Sequence, residues 1–516
     1  MVVLKVFLEG ELPLAWFWLV FGLFAGLVFS LELLGVEGSM TLLNMERARS
    51  LHISLMLYGS VPLMLSLLPF ALFEKDGVLS SNALKHLKRY FAVWNVFLLF
   101  MTFALLFGNL RGLPFYDFPY QLNFLLAFSG VFYLLALIDA LRSYEHRPLW
   151  VNISLVVVMI APILLIVLMN PQYGQVEKTL IGPHGDNTLG MSFGMLPLYY
   201  LLIKLSARQT FTPRGHILWI IPLVGYLVSL IIRNFFHPLS YNEEWFFQYL
   251  TLFFVPSLWI WWRDAGLSFK SDPYLFLSIA AFLFVDIQGN ILFVPEIREL
   301  IHRNDLVIGH AHIAMGIGIA FMALAIMQRI LPSVFTKAYA IGWASLVSLM
   351  VGALTVAGLI EAGWVDGDVQ LLWILRVLFG AILILMIGYM ACKHLSIRER
   401  TLIGWYHLIG FLSDFGGGLL LLLSGALLFP ALGLHFGGTY EYVVFAFMMG
   451  TGLVHWFGLS ADAMNMAGAS AAIRLSVSAT FSALYMAGIL DEIALLVALY
   501  DAAYAMIYVL WLKERA

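Results

Sequence analysis

Apolar runs follow one another along the whole chain, with only short polar connections between them. They fall at residues 13–35, 48–73, 89–108, 118–141, 148–169, 187–206, 216–236, 245–262, 273–294, 308–331, 339–361 and 370–392. After the basic stretch Lys393–Arg400 come four more, near 403–430, 440–460, 471–489 and 493–512. Most are close to the roughly 20 residues that a helix needs to cross the hydrocarbon, where every backbone group must be satisfied within the segment. The pattern predicts an all-α polytopic membrane protein of about sixteen helices. Twelve of them occupy residues 1–395, and a C-terminal extension of about four transmembrane helices occupies 396–516.

Charge orients the chain. Lys75, Lys85, Arg142, Arg147, Lys204, Arg208, Lys270, Lys337 and Lys393 all fall in loops that share one side if both termini are cytoplasmic. The acidic loop Glu361–Asp368 then falls outside, as the positive-inside rule requires. Composition agrees: 62% of the 516 residues are hydrophobic and 11% are charged, which excludes a soluble globular protein. The net charge of −3 says nothing about partners. A single cysteine, Cys392, excludes an internal disulfide framework, a cysteine-ligated cluster and covalently attached c-type haem. The first apolar run lacks a basic leader, and is read as a span rather than a removed signal.

Ile308–Gly316 (IGHAHIAMG) carries the chemistry. His310 and His312 lie two helical steps apart, so their rings leave on nearly opposite sides. They cannot share one metal, but each can bind a separate planar cofactor. Histidine is a common axial ligand of haem iron, and ligand-type residues inside a membrane span are functional candidates. The plainer alternative is a pair of polar residues at a helix entrance. The orientation favours the first reading, because His52, His184, Asp186, Asn234, His237, His310 and His312 all fall near the outer ends of four distant spans. His52 can face His312 across one haem, leaving His310 to bind a second with an open distal side. His86, His146, His216 and His394 fall at inner ends beside Lys and Arg, and read as solvated.

At this point the chain resembles the catalytic subunit of the haem–copper oxidase superfamily, closest to the cbb-type cytochrome oxidases and their nitric oxide reductase relatives. The likeness covers about residues 12–395. It rests on Arg47–Leu57 (RARSLHISLML), Gly182–Gly194, Asn234–Trp245, Gln288–Gly289, His302–Gly316 (HRNDLVIGHAHIAMG) and Ile374–Gly380 (ILRVLFG). It implies a twelve-helix bundle in a prokaryotic cytoplasmic membrane, and two b- or o-type haems toward the outer face. The low-spin haem falls to His52 and His312, the high-spin haem to His310. His302 and Asp305 fall near the haem propionates, and Arg47, Arg49 and Arg376 are candidate propionate partners. The implied electron donor is a c-type cytochrome or a quinol acting through a partner subunit, and the implied substrate is nitric oxide or oxygen.

The sequence departs from the family at the second metal. Its span-six histidine position reads Asp186, and its adjacent pair reads Asn234-Phe235. Phe235 has no donor atom, and Asp and Asn oxygens do not suit Cu(I). The family's copper centre is therefore not expected. Three readings follow: non-haem iron or another hard cation on some of His184, Asp186, Asn234 and His237; a single open haem binding a small gas; or a di-haem electron conduit without terminal chemistry. A polytopic transporter is the rival from another class, but neither discontinuous helices nor an internal repeat is read. His407 and His455, near the inner face of the extension, are assigned no part in the haem site.

Overall fold

A computed structural model describes residues 2–35, 43–77, 79–113, 116–142, 144, 147–167, 186–209, 214, 216–301, 304–397, 402–431, 433, 435–461, 464–490 and 492–515. The described residues are almost entirely helical. Eleven helices among them are long and apolar enough to cross a membrane. The chain divides into two compact units, one of residues 1–36 and 45–392, the other of 37–44 and 393–516.

In the first unit, helix Val2–Leu33 lies along helix Met45–Tyr58. Gly22 and Gly26 let the two backbones approach, as small residues four apart do between membrane helices. A Cβ on Gly22 would come within 2.5 Å of Met56. The start of Met45–Tyr58 is pinned by a tight loop. Gly108 and Gly112 adopt positive φ there, which only glycine takes freely. The Asp117 carboxylate accepts from the backbone N–H groups of Arg111 at 3.0 Å and Gly112 at 2.7 Å, and from the Ser50 hydroxyl. That fixes the backbone two residues before His52.

Helix Asp305–Ile313, which carries His310 and His312, is N-capped by Asn304, whose side chain accepts from Leu306 N–H at 3.0 Å. It beds on helix Lys337–Glu361 through Gly358, where a Cβ would meet Leu306 at 2.3 Å, and through its own Gly309 beside Leu354. It then passes into a π-helical turn, Ala314–Ile319, before resuming as Ala320–Ile330. Such a turn adds a residue and loosens the carbonyl ladder. Here side chains supply donors: Trp343 Nε1 donates to Gly316 O at 3.0 Å, and the Ser278 hydroxyl to Gly318 O at 2.6 Å.

The second unit holds four helical rods. The first is interrupted, running as Leu402–Gly410, a π-helical turn Phe411–Gly416, and Gly417–Ala431. Thr439–Ala461, Met464–Met486 and Glu492–Arg515 complete it. Two spans expected to be regular, 308–331 and 403–430, are therefore broken by π turns. The hydrophobic pattern could not register this, because one extra residue in an all-apolar run leaves the run apolar.

Candidate functional site

The two rings expected to share a haem do face each other. The centroids of His52 and His312 lie 6.0 Å apart, with planes only 19° from parallel. Two metal–imidazole bonds of about 2 Å, plus about 1 Å from nitrogen to ring centre on each side, span about 6 Å. Direct stacking would need closer rings. Each ring is oriented by its far nitrogen: His52 Nδ1 donates to Gly22 O at 2.8 Å, and His312 Nδ1 to Ile308 O at 2.8 Å. That leaves both Nε2 atoms as bases, which is how ligating histidines are held. Gly26 makes room for the first ring, since a Cβ there would stand 2.6 Å from His52 Nδ1. The residues fit a bis-histidine haem.

His310 leaves the same helix on another side. Its Nδ1 donates to Gln288 Oε1 at 3.2 Å, on helix Pro273–Leu292. Gly289 lies beside the ring, with a Cβ position 3.2 Å from His310 Cε1. Gln248 Nε2 donates to Gly289 O at 3.1 Å and holds that segment. A third imidazole thus has its Nδ1 proton placed and its Nε2 left as a base, which fits a proximal ligand.

Arg376 is buried next to these rings' helix. Its Nη1 is 3.7 Å from Asp305 Oδ1, beyond hydrogen-bond reach, and makes no hydrogen bond. The guanidinium lies over the Phe29 ring at 5.5 Å. Asp305 is itself buried, and accepts from Trp373 Nε1 at 2.7 Å; its own N–H donates to Glu361 at 2.9 Å. A buried guanidinium nitrogen without an acceptor fits a propionate carboxylate. Arg47 packs against Gly108, and Arg49 is exposed.

The distal candidates are placed otherwise. Asn234 Nδ2 donates to Leu230 O of its own helix at 2.7 Å. His237 is exposed, with Nδ1 3.0 Å from Pro238 O and Nε2 3.8 Å from Glu243. Phe235 is exposed too. His184, His302 and the side chain of Asp186 lie outside the described residues. Among the described residues no three His, Cys, Asp or Glu side chains gather as a metal-binding group. Of the adjacent pair that the resemblance places on Asn234 and Phe235, Phe235 has no donor atom and Asn234 has no imidazole.

Two inner-end histidines correct the solvated reading. His394 is buried, and His86 Nε2 lies 3.4 Å from the partly buried Asp139 carboxylate. An imidazole is short enough to stay among helices where a lysine reaches for water. His146 and the side chain of His216 lie outside the described residues. Two buried hydroxyls inside the spans are engaged: Ser229 donates to Tyr226 O at 2.8 Å, and the Tyr199 hydroxyl lies 2.8 Å from Ser278 Oγ.

The sequence marks Gln288 only as part of the Gln288–Gly289 match and Glu361 only as an acidic loop residue, and it does not single out Gly22, Gly26 or Trp373. The small-xxx-small spacing of the two glycines was the one available signal.

No known protein family matches the sequence, and no curated protein matches it either. The fold is similar to that of a chain from a haem–copper terminal oxidase dimer solved by cryo-electron microscopy, with a TM-score of 0.53 at 13% identity. The match covers 77% of this chain and 84% of that one. The chain therefore has the fold of a haem–copper terminal oxidase chain.

Proposed function

We propose that this protein is a membrane-integral di-haem oxidoreductase of the haem–copper oxidase superfamily, reducing nitric oxide or oxygen at a haem on His310. The observation that carries the reading is the pair His52 and His312: two near-parallel imidazoles at haem-spanning distance, both turned by backbone carbonyls. When bound, the haems supply one-electron chemistry at iron and, on His310, an open position for a small gas. His52 and His312 would hold one haem, each through the Nε2 left free by its bond to a backbone carbonyl. Gln288 fixes the His310 tautomer, and a neutral ring acting through Nε2 is what a proximal ligand requires. Arg376, kept in place by Asp305, offers its unbonded Nη1 to a propionate. The electron donor is a c-type cytochrome or a quinol, reached through a partner subunit.

Reduced-minus-oxidised spectra of the purified protein test this. Two b- or o-type haems are expected, one of them binding carbon monoxide. His52→Ala and His312→Ala should each remove the six-coordinate signal and spare the carbon monoxide adduct, and His310→Ala should do the reverse. A colourless preparation overturns the reading and favours a transporter. Metal analysis addresses the distal side: iron in excess of haem points to a non-haem ion on some of His184, Asp186, Asn234 and His237, and stoichiometric copper overturns the ligand assignment.

A second reading, gas binding or electron transfer without terminal turnover, is favoured by the local bonds of Asn234 and His237. A preparation with both haems that binds carbon monoxide but consumes neither gas under reducing conditions would establish it.

A further inference from the structure

The second unit buries an ionisable cluster of its own. His407 and His455 come from different helices and are wholly buried, 0% and 1% exposed. Their Nδ1 atoms are 3.2 Å apart. Each ring sits over a glycine of the other's helix: a Cβ on Gly410 would lie 2.5 Å from His455, and one on Gly458 2.2 Å from His407. The sequence carries the same spacing twice, His407-x-x-Gly410-x-x-x-Asp414 and His455-x-x-Gly458-x-x-x-Asp462. Asp462 lies outside the described residues.

Beside the pair stands a charged triad. Arg474 is bonded to Asp414 by one guanidinium nitrogen and to Asp501 by the other, and all three side chains are buried. Asp414 sits on the π-helical turn, 3.9 Å from His455 Nε2. With both carboxylates ionised, the triad carries one negative charge in excess. An uncompensated buried charge is costly, and in a membrane interior it calls for a nearby cation. Among the described residues, further groups that face the pair are neutral. Ser470 Oγ is 2.8 Å from His455 Nε2, Tyr406 and Tyr504 rings flank His455, and Tyr508 packs on Tyr406. Tyr500 and Tyr504 cover the guanidinium.

We propose that His407 and His455 form a proton relay inside the second unit, with the Asp414–Arg474–Asp501 triad as its counter-charge. A shared Nδ1–H···Nδ1 bond has two tautomeric forms. In one, His407 Nδ1 donates to His455 Nδ1, and His455 Nε2 donates to Ser470. In the other, His455 Nδ1 donates to His407 Nδ1, His407 Nε2 carries a proton, and Ser470 donates to His455 Nε2. The forms interconvert when a proton is taken up at His407 Nε2, the bridging proton crosses to His455, and a proton leaves His455 Nε2. Between uptake and release the pair carries one positive charge, which the triad's negative charge balances. No net proton is gained or lost over the cycle.

The test is an infrared titration of the full-length protein in detergent, held oxidised, with ring-labelled histidine, between about pH 5 and 9. Exposed histidines such as His237 titrate in the same range, so the readout is the difference between wild type and variant, in which one neutral-to-charged imidazole transition per chain is expected. It should be missing from His407→Gln and from His455→Gln. In Asp501→Asn, where the triad becomes neutral, proton affinity of the pair should fall about tenfold or more. Three results overturn the proposal: imidazole titrations of the same amplitude in wild type and in both histidine variants; a titrating carboxylic-acid band as the only difference between them; or stoichiometric copper or zinc that is lost with His455→Gln.

Discussion

Gln288 accepts from His310 through a side-chain amide oxygen at 3.2 Å, and that one contact decides which ring nitrogen is left for a metal. Partners of this kind are typically worth tenfold to about 100-fold in metal affinity. Gln288→Leu should therefore weaken haem retention on His310 by that range and shift the iron–histidine stretch seen by resonance Raman, leaving the His52–His312 signal unchanged. An unaltered stretch would show that Gln288 is a packing residue. At this scale the imidazoles were legible, because ligand-type side chains stand out in apolar runs. Their supports were not. An amide, a glycine or a tryptophan carries no ligand signal, and only coordinates show Gln288 on His310 or Trp373 on Asp305. The distal residues show the same limit: the sequence does not reveal that Asn234 Nδ2 donates to Leu230 O or that His237 Nδ1 lies 3.0 Å from Pro238 O.

Helix-to-helix approach at Gly26 is what admits the His52 ring. Branched side chains there would overlap the imidazole, and overpacking of this sort costs about 1–3 kcal/mol when the structure yields. The group in the way is the His52 ring, 2.6 Å from the Cβ position. Gly26→Val should abolish the six-coordinate haem spectrum while carbon monoxide binding on the other haem persists; a normal low-spin spectrum would mean that the helices separate instead. Span limits were read well from hydropathy, because a membrane segment must be long, apolar and hydrogen-bonded to itself. The π turns at 314–319 and 411–416 escaped it. In the first of them the Gly316 and Gly318 carbonyls are answered by residues far away in sequence, Trp343 and Ser278, and no local pattern encodes that.

For the molecule as a whole, 13% identity with a TM-score of 0.53 means that helix order and packing persist where side chains have been almost wholly exchanged. The all-α polytopic architecture was legible from the apolar runs, and the haem–copper oxidase fold from a handful of motifs in order. Which helices pair, and that His407 and His455 meet, depend on close approaches at Gly410 and Gly458 that composition does not reveal. A ligand that binds only the folded chain stabilises it by about 4 kcal/mol when present at about 1,000 times its dissociation constant. Extracting haem should accordingly lower the melting temperature of the purified protein, and adding it back should restore it; identical melting curves with and without haem would count against the haem-bearing core. The inserted residue of the turn at Ala314–Ile319 also has a reach beyond its own neighbourhood. Each residue turns a helix by about 100°. Shortening that segment by one would straighten the rod and at the same time rotate everything above it, like a bolt advanced by part of a thread, so that His312 no longer looked toward His52. The length of an apparently featureless glycine-containing stretch thus sets the phase between the chemical end of the rod and the end that anchors it.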